Sequence, residues 1–174
     1  MLGSAPRLAE ALRRATRLGE WDGAQPGSGE GVAAVRMVSG EAAAGHIACV
    51  AHLARGEGGI KVRQLSAVVD IGRIVNLDIA RQQIEGGLLF GLSLATGSSV
   101  SYLGGLPVSA RLVDLDLPTL ADAPEIVLDL VASDAPPFDP GELGVAVAPP
   151  AIANALFAAT GVRFRRLPLL SEGL

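Results

Sequence analysis

Between Pro6 and Leu18 the apolar residues Leu8, Leu12, Ala15 and Leu18 fall on one stripe, with Arg7, Glu10, Arg13, Arg14 and Arg17 elsewhere. That period predicts an amphipathic helix, with Ser4 as its N-cap and Gly19 as its stop. Residues 21–31, rich in Gly and Pro, read as a linker in which Trp21 is a packing anchor. The runs 32–38, 46–54 and 60–69 are strand-like, and Arg55-Gly56-Glu57-Gly58-Gly59 between the last two is hairpin chemistry, so antiparallel pairing is expected. Helical spacing resumes over 79–95, capped by Asn76 or Asp78, and strand-like runs return at 100–103, 110–115 and 125–131. Pro149 and Pro150 suit a first helical turn and Gly161 suits a C′ position, which predicts a third helix over 150–160. Alternation over 162–170 predicts a final strand. The expected class is α+β, a mostly antiparallel sheet packed with about three helices. It forms one domain, 1–174, made of a helix and linker (1–31) and an α+β core (32–174).

Composition narrows this picture. The chain is 49% hydrophobic and 18% charged with only 3% aromatics, which excludes dominant disorder and calls for a core of Ala, Val, Leu and Ile. A net charge of −4 argues against a nucleic-acid surface, and the short basic runs Arg13-Arg14 and Arg163 to Arg166 read as solvated faces. Cys49 is the single cysteine, so an intrachain disulfide, a four-cysteine zinc site and an iron–sulfur cluster held by this chain alone are all excluded. His46 and His52 stand six residues apart on one predicted strand, about 20 Å and too far for a shared metal ion, and read as surface or satisfied histidines. The uncharged stretch 86–110 is broken by Gly97, Gly104, Gly105 and Pro107, which predicts no membrane span. With no apolar leader near Met1, a soluble cytoplasmic chain is expected, periplasmic if assembled with an exported partner.

Two stretches carry candidate chemistry. Pro136-Pro137-Phe138-Asp139-Pro140-Gly141-Glu142-Leu143-Gly144 packs three prolines and two glycines into nine residues, a loop of defined shape that presents one carboxylate, Glu142. By spacing alone Glu142 is either a solvated loop carboxylate or a placed ionisable group. The second stretch, Asp70-Ile-Gly72-Arg73-Ile-Val-Asn76, ends a strand in a turn and leads into Gln82-Gln83-Ile-Glu85-Gly86-Gly87-Leu-Leu-Phe-Gly91. Three glycines inside a helix cost about 1 kcal/mol each relative to alanine. They imply close helix-to-sheet packing or the close approach of a ligand.

Taken together, Gly141-Glu142-Leu-Gly144 followed by Ala148-Pro149-Pro150-Ala-Ile-Ala-Asn154-Ala, and Asp70-x-Gly72-x-x-x-Asn76 followed by Gln83-x-Glu85-Gly86-Gly87-x-x-x-Gly91, resemble the xanthine dehydrogenase and aldehyde oxidase family. The similarity is to the C-terminal portion of the molybdenum-cofactor subunit of isoquinoline 1-oxidoreductase-type enzymes. Glu20-Trp21, the Pro26 to Gly31 link and Arg165-Arg166-Leu167-Pro168-Leu169 follow the family order too. Pro140 and Leu77 depart from the family pattern. The resemblance implies Glu142 as catalytic base, and Gln83, or its neighbour Gln82, with Gly141 as contacts to a molybdenum–pterin cofactor. A side-chain amide suits a heterocycle because it offers a donor and an acceptor without charge. Implied partners are a chain carrying the upstream molybdenum-binding lobe and an iron–sulfur electron-transfer subunit, with a homodimer as another way to cover apolar surface. The reaction implied is hydroxylation of an aldehyde or N-heterocycle with water as the oxygen source. The chain reads as a split subunit, a remnant or an excised piece, inactive and without tightly bound cofactor by itself. A non-catalytic structural or assembly module is the alternative.

Overall fold

The computed structural model describes residues 5–40, 42–56, 59–109, 111–115 and 117–169. Helix α1 (Pro6–Leu18) begins with Pro at its first position and closes where the Gly19 N–H donates to the Ala15 carbonyl at 2.9 Å. Ser4, the expected cap, lies outside the described residues. Strands β1 (Glu30–Ser39), β2 (Ala43–Gly56) and β3 (Gly59–Asp70) form an antiparallel meander with a register shift at His52/Leu53. Glu57 and Gly58 of the expected hairpin lie outside the described residues.

Helix α2 (Leu77–Thr96) is capped by Asn76, whose side-chain oxygen accepts the Ile79 N–H at 3.0 Å. It carries the chain across to β6 (Glu125–Leu130), which adds parallel to β3 and gives the sheet order β1-β2-β3-β6. The sheet is thus mostly antiparallel with one parallel pair, and the fold is α+β. Between them, β4 (Tyr102–Leu103) and β5 (Leu106–Pro107) make a small hairpin around Gly104 and Gly105, both at positive φ.

Three expectations are corrected. The stretch 110–115 is a 3-10 helix at Leu112–Leu115, not a strand. The stretch 162–169 is irregular: Pro168 has no N–H for a ladder, and Leu169 instead donates to the Ala95 carbonyl at 2.8 Å. Helix α3 runs Leu143–Thr160, so it starts seven residues before the expected position and holds Pro149 and Pro150 inside. Those prolines leave the carbonyls of Val145 and Ala146 without their helical donors. Burial of Leu143, Gly144, Val147 and Ala148 against the rest of the core outweighs that loss. Gly161 closes the helix at φ 74°, as its position implied.

Strand alternation divides the core. Ile47, Cys49, Ala51, Leu65, Ala67 and Val69 meet α2 and α3 on one face, whereas Ala48 and Val68 meet Ala11 and Ala15 of α1 on the other. Helix α3 is long and apolar enough to cross a membrane by length and composition, yet half of it is buried inside this core.

Candidate functional site

The Glu142 loop is built from three directions. Turn residues behind β3 bind it through the Arg73 N–H to the Ala135 carbonyl (2.9 Å) and the Phe138 N–H to the Ile71 carbonyl (2.8 Å). Gly72, at φ +73°, lies so close that a Cβ there would stand 2.3 Å from the Pro136 carbonyl oxygen. From β2, Gly45 makes room for the Phe138 ring, which a Cβ would meet at 2.4 Å. From α2, Gly87 and Gly91 face Gly141, Gly144 and Ala148, and a Cβ on Gly144 would stand 2.5 Å from the Leu88 backbone N. Two of the three α2 glycines are therefore explained by contact with α3 rather than with the sheet. Gly86 is different, since a Cβ there would meet nothing within 4 Å.

Glu142 occupies the N-cap position of α3, exposed, with no capping hydrogen bond from its side chain. Its neighbour Gly141 donates its N–H to Asp139 Oδ1 at 2.9 Å and turns its carbonyl toward Gly87, so its backbone positions the loop. Pro140, which departs from the family pattern, is buried. Glu142 lines a depression of about 280 Å³ with Met37, Val38, Ser39, Phe138 and Asp139. Gln83 lines a second of about 280 Å³ with Arg73, Ile79, Phe138 and Pro140. The two are adjacent and share Phe138 as a wall. Gln82 is exposed on α2 and lines neither.

Asp70 lies behind this site and is buried. It accepts from Arg7 Nε at 2.7 Å and from the Gly72 N–H at 3.0 Å, and a second Arg7 nitrogen completes a bidentate pair. Burial opposes its charge, but these donors prevail and its carboxyl titrates below the usual range. His46 is buried as well, hydrogen-bonded to the Asp70 backbone but with no partner for Nδ1 among the described residues, so the expected surface or satisfied histidine is instead buried and half-satisfied. Burial first, and then the Arg7 charge, lowers its pKa. His52 bonds the Gly19 carbonyl at 2.7 Å. Arg14, expected on a solvated face, pairs with Asp129. Arg7 was legible as a polar position on α1, but its partner is 63 residues away. Asn154 links α3 to β1 by donating to the Val32 carbonyl at 2.9 Å, and Arg163 donates to its Oδ1 at 2.7 Å.

A groove of about 290 Å³ elsewhere is lined by Ile60, Leu92, Thr96 and Leu117 and rimmed by the Lys61–Asp122 ion pair at 2.9 Å. It contains neither glutamine nor Glu142. Among the described residues no cluster of His, Cys, Asp or Glu is arranged to hold a metal ion.

The geometry defines an α+β module that presents a carboxylate loop and a glutamine-bearing helix side by side at its surface. The molybdopterin cofactor-binding domain family matches residues 21–124, more than half of the chain, and the chain belongs to that family, as a piece similar to the molybdenum-binding subunits of the xanthine dehydrogenase and aldehyde oxidase group. It is 29% identical over 97% of its length to the beta subunit of isoquinoline 1-oxidoreductase from Brevundimonas diminuta, covering 22% of that protein. It is 37% identical over 70% of its length to a membrane-bound aldehyde dehydrogenase of Gluconacetobacter polyoxogenes, named for pyrroloquinoline quinone, covering 16% of it. Among solved structures, the aldehyde oxidoreductase of Desulfovibrio gigas superposes with a TM-score of 0.62 at 27% identity, over 73% of this chain and 14% of that one. The chain thus spans about a fifth of these curated relatives. The family match takes in Gln82 and Gln83 but stops short of Glu142, which lies within the longer similarity to the isoquinoline enzyme.

Proposed function

We propose that this chain is the C-terminal part of the molybdenum-binding portion of a hydroxylase that oxidises an aldehyde or an electron-poor N-heterocycle with water as the oxygen source. The observation that carries the reading is the shared Phe138 wall, which brings Glu142 and Gln83 to neighbouring depressions although 59 positions separate them. The residues fit a polar heterocycle. Neither the Gln83 amide nor the Glu142 carboxylate has a hydrogen-bond partner among the described residues, and Gly86 leaves the α2 backbone open beside Gln83. Such a group, when bound, supplies the two-electron oxidation.

This chain's residues do the rest. Gln83, by its orientation better placed than Gln82, offers a donor and an acceptor to the heterocycle. A carboxylate Oε of Glu142 takes the proton released as the water oxygen is transferred and passes it on to solvent. Gly141 and Phe138 hold the loop. Glu142 is exposed here, so the dry pocket that suits a general base has to be completed by the upstream lobe on a partner chain or segment, and electrons leave through an iron–sulfur subunit. With so few donors, the chain alone should hold cofactor weakly. The exposed side chains of Tyr102, Leu103, Leu106, Leu112 and Leu120 favour a second reading, an assembly module that covers a partner without catalysing.

Purification of the assembly from its source, with molybdenum and quinone both quantified, tests the proposal. Molybdenum should copurify with an upstream chain. Glu142→Gln should then lower turnover at least about 100-fold with molybdenum content unchanged, and Gln83→Ala should lower the molybdenum content. A lone metal-free monomer, or a quinone in place of molybdenum, overturns the proposal. Unchanged turnover in Glu142→Gln selects the assembly module.

A further inference from the structure

We infer that Asp70, clamped by Arg7 from the opposite face of the sheet, is a positioning residue for the Glu142 loop, so that α1 sets the geometry of a site it never touches. This rests on the reading of Glu142 as the base, although the positioning itself can be measured without cofactor.

The chain of contacts is continuous. Arg7 reaches from α1 to the end of β3 and binds both carboxylate oxygens of Asp70. Oδ1 of that carboxylate also accepts the Gly72 N–H at 3.0 Å, which fixes the turn in which Gly72 adopts positive φ. The fixed turn presents the Ile71 carbonyl to the Phe138 N–H and the Arg73 N–H to the Ala135 carbonyl, at 2.8 and 2.9 Å. Phe138 walls both depressions, and Glu142 follows four residues later at the N-cap of α3. Backbone contact at Gly72 is tight enough that the turn and the loop must move together. A carboxylate is required at position 70 because it alone accepts the bidentate guanidinium and the turn amide at once. An amide there keeps one acceptor oxygen for Gly72 and loses the pair with Arg7.

The test uses the full chain and residue-resolved hydrogen exchange on Asp70→Asn, Arg7→Met and Arg7→Lys. In the first two, the acceleration at the Arg73 and Phe138 amides should exceed by about tenfold or more that at the mid-sheet amides of Ala48 and Ala67, which report the global loss of stability alone. Arg7→Lys, which keeps the charge without the fork, should restore part of the protection. Labelling of Glu142 by a water-soluble carbodiimide should change in the same order. Uniform acceleration across the sheet would show a merely structural ion pair and overturn the inference, as would unchanged exchange at Phe138. If Asp70→Asn does not fold, the two Arg7 variants decide alone, since Arg7 is partly exposed. A chain that passes this test but never acquires molybdenum would overturn the proposed function and leave the positioning role standing.

Discussion

The two faces of the sheet are covered by different physics. On the α2 and α3 face, backbones approach so closely that side chains are excluded: a Cβ on Gly31 would stand 2.1 Å from the Ala155 N and 2.5 Å from the Ala151 carbonyl oxygen. On the α1 face, Ala11 and Ala15 rest on Ala48 and Val68, and the ion pairs Arg7–Asp70 and Arg14–Asp129 fasten the helix. The first face is guarded by volume and is indifferent to pH and salt. The second is guarded by charge, and solution conditions reach it.

Gly31→Ala should separate them most sharply. Overpacking against backbone that cannot yield is expected to cost about 3 kcal/mol or more, seen as a large drop in the urea midpoint that added salt does not alter. Arg7→Met should cost less, about 2 to 3 kcal/mol, because it leaves the buried Asp70 carboxylate without its cation. Here acidification should shrink the difference from the parent chain.

Titration comes next. The His46 imidazole is held below its usual 6.5 by burial and by Arg7, so the unfolded chain binds a proton that the folded chain refuses. Stability should therefore fall as pH drops through about 6.5. The Asp70 contribution persists to lower pH, being complete above 3.8 and lost as pH falls through its depressed folded value. Urea midpoints between pH 8 and 3 check both signs, and His46→Gln should flatten the upper part of the curve.

Gly86→Ala should stabilise the isolated chain by about 1 kcal/mol, since the new methyl meets open space and helix propensity improves. The same change should weaken cofactor loading in the assembly if a ligand lies along that face. Arg14→Met should have the smallest effect, about 0.5 kcal/mol and dependent on salt, because both partners are about one-third exposed.

The periodic elements were legible in the sequence because periodicity reports burial directly. The stripe of Leu8, Leu12, Ala15 and Leu18 marks α1, and the strand-like apolar runs 46–54 and 60–69 around hairpin chemistry mark β2 and β3. The start of α3 was not legible. Proline has a strong local meaning at a helix start, and only the tertiary contacts of Gly144 and Val147 show why two prolines are carried inside. Residues 110–115 and 162–169 failed for a related reason: alternation makes a strand only where a neighbouring strand offers hydrogen bonds. At the site, Glu142 and Gln83 were marked by loop and helix chemistry, as local features are. The Arg7–Asp70 clamp was hidden because its halves lie at opposite ends of the first three strands, and no local pattern couples them.

The lone cysteine gives this protein a built-in clock. Cys49 sits in the middle of β2 with no exposed surface, and burial pushes its thiol up to about 12. A disulfide reagent needs the thiolate, so it can react only when β2 and the helices over it part. The rate at which a chromogenic disulfide titrates Cys49 under native conditions therefore reads how often the centre of the molecule opens, with no label added and no residue changed. Because Cys49 faces α2 and α3 rather than α1, it should run fast in Gly31→Ala and keep nearly its parental rate in Arg14→Met.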